Sequence, residues 1–129
     1  MSKTEKFINE LLVISVTEGN DYINIHWAGK SIERRPGAFI TPILIKFLKK
    51  CIDREKRMIL DFCNIEYMNS STITPIIKIL ERAKRSKIGV TVNYLASLKW
   101  QHLIFSALEI FQTKDQRIII EGIYKNESV

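Results

Sequence analysis

The sequence predicts an α/β fold, with an N-terminal hairpin and then alternating helices and strands that form a mixed sheet packed with helices. Two apolar runs flank a turn-rich segment near the start, and three stretches with helical spacing then alternate with three apolar runs of strand length. Because such crossovers are right-handed, the later strands should be parallel. With 129 residues and 46% hydrophobic content, we expect one domain over residues 1–129, with a core of about 8–123 and frayed termini.

The first two strands are predicted from their turn and their alternation. Residues 11–16 are apolar, residues 17–21 have the composition of a turn, and in residues 22–28 apolar and polar side chains alternate. The two strands should form an antiparallel hairpin. His26 lies on the more polar face, with no second histidine or carboxylate at ligand spacing, so we interpret it as a surface residue.

The first helix has two possible starts. Thr41 and Pro42 resemble an N-cap followed by proline at the first helical position, whereas a start near Pro36 would place Pro42 inside the helix and kink it. Its predicted buried residues are Leu44, Phe47, Leu48 and Cys51, and its predicted outer residues are Lys46, Lys49, Lys50 and Asp53.

The third strand and the second helix flank a hydroxyl-rich turn. Residues 58–63 are almost continuously apolar, which predicts a strand covered on both faces. The helix that follows extends to about Lys87. Because proline is tolerated only in the first turn of a helix, Pro75 predicts a start close to Thr72. Ser70 and Ser71 then lie where a strand's carboxyl end meets a helix amino terminus, which suits a phosphate.

The remaining elements complete the alternation. Residues 90–94 and 117–121 are predicted strands, a third helix should open at residues 97–98, and residues 126–129 should fray. The expected core contacts of the third helix are Leu98, Phe105, Ala107, Leu108 and Phe111.

Composition narrows the class of protein. The net charge of +6 and the pI near 9.4 raise nucleic-acid binding as an alternative. The basic clusters at 46–57 and 78–87 lack interleaved aromatic residues, however, and fit solvated helix ends better. We expect no signal peptide, no membrane segment, no metal and no cofactor, and a cytoplasmic protein. Cys51 and Cys63 are interpreted as small buried residues of a reducing compartment.

The stretch 61–77 resembles the signature of the STAS family, which comprises the anti-sigma-factor antagonists and the related domain of sulfate transporters. In this family an apolar strand ends in Asp and is followed by a short polar stretch, Asp-Ser-Ser-Gly-Leu and an amphipathic helix. Here Asp61 and the turn 67–73 carry the likeness, and 103–111 is similar to the family's third helix.

The resemblance implies a non-enzymatic binding protein of bacterial partner switching. It implies that Ser71 is phosphorylated by a serine kinase that is also an anti-sigma factor, and dephosphorylated by a metal-dependent phosphatase. Ser70 and Thr72 are the neighbouring hydroxyls. The residues expected to bind the partner are Asn69, Thr72, Thr74, Lys78 and Arg82.

Two departures from the family pattern bear on this expectation. Asn69 replaces the usual Asp, and Thr72 replaces the usual Gly, which adds a side chain and a competing hydroxyl. Three alternatives stay open. The hydroxyls at 70–72 could simply cap the helix, or the chain could be a STAS scaffold or transporter-associated module that never carries phosphate. In the third, Cys63 would be a nucleophile, with only the distant His26 and His102 as possible partners.

Overall fold

The computed structural model describes residues 3–124, and its topology confirms the predicted α/β class. Six strands form one sheet in the order β1-β2-β3-β4-β5-β6. The pairs β1-β2 and β2-β3 are antiparallel, and β3-β4, β4-β5 and β5-β6 are parallel. The elements are β1 (Lys3–Asn9), β2 (Leu12–Glu18), β3 (Tyr22–Ser31), α1 (Gly37–Arg54), β4 (Arg57–Met68), a 3-10 turn (Ser70–Thr72), α2 (Ile73–Arg85), β5 (Val90–Leu95), α3 (Lys99–Phe105), a second 3-10 turn (Ser106–Phe111) and β6 (Ile118–Ile123).

The edge strand β1 was not predicted. Its first four residues are exposed, so the apolar periodicity that marks a strand is missing there. Phe7 anchors it, because its ring meets that of Phe47 on α1 edge-on, with 6.0 Å between centroids. The expectation of a frayed N-terminus ahead of residue 8 is therefore wrong for residues 3–7. The predicted fraying of 126–129 lies outside the described residues.

The hydrophobic core lies on one face of the sheet. Alternate strand residues such as Ile14, Ile25, Leu60 and Val92 are buried and form a single cluster with the inner residues of the helices. Their neighbours in sequence, such as Ile59, are only half-buried. The prediction that the strand at 58–63 is covered on both faces is wrong, because the helices of the described chain cover only one face.

The uncovered face carries a line of polar side chains. In the register of the six strands these residues lie side by side, and we call them the polar row: Lys6, Ser15, His26, Asp61, Asn93 and Glu121. The residues next to this row in each strand point to the opposite face of the sheet, where the core lies. Across residues 3–124, no helix has the length and apolar character needed to cross a membrane.

The helix α1 begins at Gly37, so the earlier of its two predicted starts is correct. Pro42 lies inside it as the sixth residue, where it cannot donate the hydrogen bond that Ala38 would otherwise accept. The predicted inner residues are all buried: Leu44, Phe47, Leu48 and Cys51. At the other end of the helix, Arg54 pairs with Glu18 of β2, and so does Lys56 at 2.8 Å.

The third helix is shorter than expected, and its packing differs. Leu98 and Ala107 are exposed rather than buried, and Phe111 is half-buried. Gln101 is instead fully buried. Its amide donates to the carbonyls of Phe62 and Ile65 and accepts from Leu95 N–H, at 2.8 to 3.1 Å. This side chain therefore satisfies backbone groups of β4 near the β-bulges between β3 and β4.

Gly29 generates a prediction about stability. It has φ +84°, and a Cβ atom there would collide with the carbonyl oxygen of Leu11, which accepts a hydrogen bond from Lys30 N–H. Gly29→Ala should lower the free energy of unfolding by about 2 kcal/mol or more. Gly37→Ala is the matched control, because a Cβ there meets only Thr41 at 3.4 Å. Urea unfolding measures both, and equal stabilities of the two variants would contradict the prediction.

Candidate functional site

The turn after β4 is capped by Asn69. This residue has an extended backbone, and its side-chain oxygen accepts a hydrogen bond from Thr72 N–H at 3.2 Å. A 3-10 turn over Ser70–Thr72 leads directly into α2. Pro75 falls in the first turn of α2, as predicted, where its missing N–H would have had no helical partner.

Thr72 is inside the protein, not on its surface. It is fully buried, and its hydroxyl donates to Asn69 Oδ1 at 2.8 Å while lying 2.7 Å from Ser31 Oγ at the end of β3. Its expected roles as a surface contact and as a competing hydroxyl are therefore wrong, because the side chain turns inward and is already hydrogen-bonded. The side chain of Thr72, including its methyl group, fills buried space in this part of the fold.

Asn69 also ties the turn to the segment between β3 and α1. Its side-chain amide donates to the Glu33 carbonyl at 2.8 Å, and its backbone N–H donates to the Ser31 carbonyl at 3.0 Å. An ionised Asp has no N–H and could not make the first of these bonds. The structure thus uses both ends of the Asn69 amide, and this residue holds the segment 31–36 beside the hydroxyl-rich turn.

Ser70 and Ser71 are free of this network. Both are exposed, and neither hydroxyl has a hydrogen-bond partner among residues 3–124. The capping alternative is wrong for these two serines, because Asn69 accepts the bond that closes the turn, with Thr72 as its donor. The two hydroxyls face solvent at the amino-terminal side of α2, which is where the sequence predicts them.

The other predicted surface residues lie along α2. Thr74, Lys78 and Arg82 are exposed and follow one another at four-residue intervals, so they share a face of the helix. Asn69 is half-buried, with its side chain already engaged.

An open cavity of about 200 Å³ lies beside Ser71. Two of its walls are the β3-α1 segment and the start of α2, and its lining includes three cationic side chains and no carboxylate. The lining residues are Arg34, Arg35, Pro36, Gly37, Thr41, Ser71, Thr74, Pro75 and Lys78. The two arginines were not among the predicted site residues, because 34 residues separate the closer of them, Arg35, from the 3-10 turn Ser70–Thr72.

Cys63 lies away from this turn, on the uncovered face of the sheet, and is half-buried. Desolvation raises the pKa of its thiol to about 12, with a further contribution from the Asp61 carboxylate. His26 Nδ1 lies 3.3 Å from Asp61 Oδ2, a partner that sequence spacing did not indicate. No hydrogen bond within residues 3–124 joins Cys63 to His26 or His102, and no group of three His, Cys, Asp or Glu side chains there could hold a metal ion.

Comparisons with known proteins add little to this geometry. No family model and no curated protein matches the chain. One similar solved structure is an uncharacterised protein of the DUF3478 family from Shewanella loihica PV-4, described as having a SpoIIAA-like fold. The two are 10% identical, with a TM-score of 0.44, over 95% of this chain and 86% of that one. A likeness of this size says nothing about activity or partners.

The buried network predicts different outcomes for two neighbouring threonines. Thr72→Val keeps the shape but removes the hydroxyl that links Ser31 to Asn69, so it should lower the free energy of unfolding by about 1 to 3 kcal/mol. Thr74→Val is the matched control on the exposed side and should change it by no more than about 0.5 kcal/mol. Chemical denaturation followed by circular dichroism measures both, and an unaffected Thr72→Val would show that the network contributes nothing.

The raised pKa of the Cys63 thiol predicts that this residue is alkylated slowly in the native protein. A pKa of about 12 leaves far less thiolate near pH 8 than an unfolded cysteine has. Alkylation of Cys63 in the native protein should therefore be at least roughly a hundredfold slower than in denaturant. Peptide mass spectrometry after timed alkylation gives both rates, with Cys51 as the buried internal reference. Rapid native labelling of Cys63 would instead support the nucleophile alternative.

Proposed function

We propose that this protein is a non-enzymatic regulatory binding protein of the STAS type, controlled by reversible phosphorylation of Ser71. In this proposal, a serine kinase that is also an anti-sigma factor transfers the γ-phosphoryl group of ATP to Ser71 Oγ, releasing ADP and a proton. A metal-dependent phosphatase hydrolyses the phosphoester. The unphosphorylated protein captures the kinase in the cytoplasm and frees the sigma factor, and the phosphorylated protein releases the kinase.

One observation carries the proposal. Ser71 is exposed, and its hydroxyl makes no hydrogen bond within the described chain, although it lies next to a fully bonded and buried Thr72. The residues that hold the turn are therefore different from the residue that would be modified. Phosphorylation could add charge at Ser71 without breaking any contact that maintains the fold.

The exposed face of α2 supports a docking role for the same region. Thr74, Lys78 and Arg82 lie on it in succession from the end that carries Ser71. A phosphoserine adds about −1.5 to −2 charges. Left desolvated and unpaired in a docked interface, such a dianion costs about 3 to 5 kcal/mol, which is roughly two to three and a half decades of affinity.

Phosphorylation by a serine kinase of the anti-sigma-factor type tests the site. Incubation with that kinase and ATP should add the mass of one phosphoryl group to the intact chain. Ser71→Ala should abolish the gain, whereas Ser70→Ala, the matched control on the adjacent exposed hydroxyl, should retain it. Intact-protein mass spectrometry reads all three reactions. No gain, or a gain that survives Ser71→Ala, would contradict phosphorylation at this residue.

Binding tests the consequence. Ser71→Asp should weaken the affinity of this protein for its kinase partner by at least roughly tenfold. The reason is that even one unpaired charge is costly to desolvate in an interface. Isothermal titration calorimetry measures the affinity, with Ser70→Asp as the control. Equal affinities of Ser71→Asp and the unaltered chain would favour a scaffold or transporter-associated module that never carries phosphate.

A further inference from the structure

We infer that a phosphate on Ser71 is bound within the same chain, by the guanidinium groups of Arg34 and Arg35 with the Lys78 ammonium beside them. This inference rests on the proposed function, since it requires that Ser71 be phosphorylated. It adds a receptor for the phosphate, made largely from the segment between β3 and α1, and it changes what phosphorylation does to the docking surface.

The cavity beside Ser71 has the composition of a phosphate site. Its volume of about 200 Å³ is several times that of a water molecule, which is about 30 Å³, so a phosphoryl group has room. Thr41 and Thr74 line it together with Arg34, Arg35 and Lys78, and Ser71 itself forms part of the wall. Glu33, the nearest acidic residue in sequence, does not line this cavity but lines a second, small one together with Lys30.

The three cations are available to a new anion. None of them forms an ion pair with a carboxylate of residues 3–124, and all three are exposed. Arg54 and Lys56, by comparison, both share Glu18 at the far end of α1. Guanidinium groups bind phosphate oxygens through paired N–H donors, which makes arginine well suited to a phosphate site.

The backbone that carries the arginines is already held in place. Asn69 binds the carbonyls of Ser31 and Glu33, so Arg34 follows directly after a residue that is tethered to the phosphorylatable turn. Pro36, which is buried, restrains the other side of the pair. Binding the phosphate would therefore order mainly two side chains rather than a whole loop, which keeps its entropic cost low.

This arrangement gives phosphorylation a second consequence. The unphosphorylated protein presents the three positive charges of Arg34, Arg35 and Lys78 next to Ser71. A phosphate of about −1.5 to −2 bound by the two guanidinium groups reduces these three charges to a net charge of roughly +1 to +1.5. An acidic partner surface would therefore lose about half or more of the positive charge that attracts it, so in this arrangement phosphorylation weakens docking by removing attraction.

The experiment uses full-length protein with phosphoserine installed at position 71 during translation, so that no kinase is needed. Phosphorus NMR follows the titration of the phosphate in the unaltered background, in Arg34→Ala/Arg35→Ala and in Arg82→Ala. Arg82 is the matched control, because it is exposed on the same face of α2 but does not line the cavity. Cations within contact distance lower the pKa of an acid by about 1 unit or more.

We expect the second pKa of the phosphate to lie about 1 unit below the ordinary value near 6 in the unaltered background and in Arg82→Ala, and to return toward 6 in the double variant. Lys78→Ala, a single exposed change, should remove part of the shift. Identical titrations in all backgrounds would overturn the inference. Since the phosphate is installed without a kinase, failure of the kinase reaction would contradict only the proposed function, and an unshifted titration only this inference.

Discussion

The local structure of the candidate site depends on one small group of hydrogen bonds. Thr72 donates to Asn69, Ser31 lies against Thr72, and Asn69 reaches back to the carbonyl of Glu33. These bonds are buried or partly buried, so water competes with them weakly and each lost partner would leave an unsatisfied polar group. They join the end of β3, the segment between β3 and α1, and the start of α2. Two regions that are distant in sequence therefore form one surface.

Neighbouring residues of the turn have different roles in this network. Thr72 and Asn69 hold the turn in place, whereas Ser71 is exposed and has no partner in the described chain. Asn69 Oδ1 accepts from both the backbone N–H and the hydroxyl of Thr72, and the Asn69 amide N–H donates to the Glu33 carbonyl. These bonds hold the turn and leave the candidate phosphorylation site accessible.

Sequence patterns predicted the order of elements well where apolar periodicity was strong, as in the hairpin of β2 and β3, the inner stripe of α1 and the early start of α2 set by Pro75. They failed where the decisive interaction is tertiary. The edge strand β1 has a weak apolar pattern, and Phe7 anchors it. Gln101 is buried where its side chain binds backbone groups of β4. Arg34 and Ser71 line one cavity only because the fold brings distant segments together. Periodicity reports which side chains avoid water but not which distant ones meet.

The polar row across the uncovered face of the sheet has a consequence for self-association. Two such faces could stack only by bringing the Asp61 and Glu121 carboxylates of both molecules out of water, at a cost that the half-buried apolar neighbours do little to offset. The row therefore acts against face-to-face packing of two identical sheets. The sheet face that no helix covers can thus stay exposed to solvent without promoting self-association. The candidate phosphorylation site lies elsewhere, at the amino-terminal end of α2.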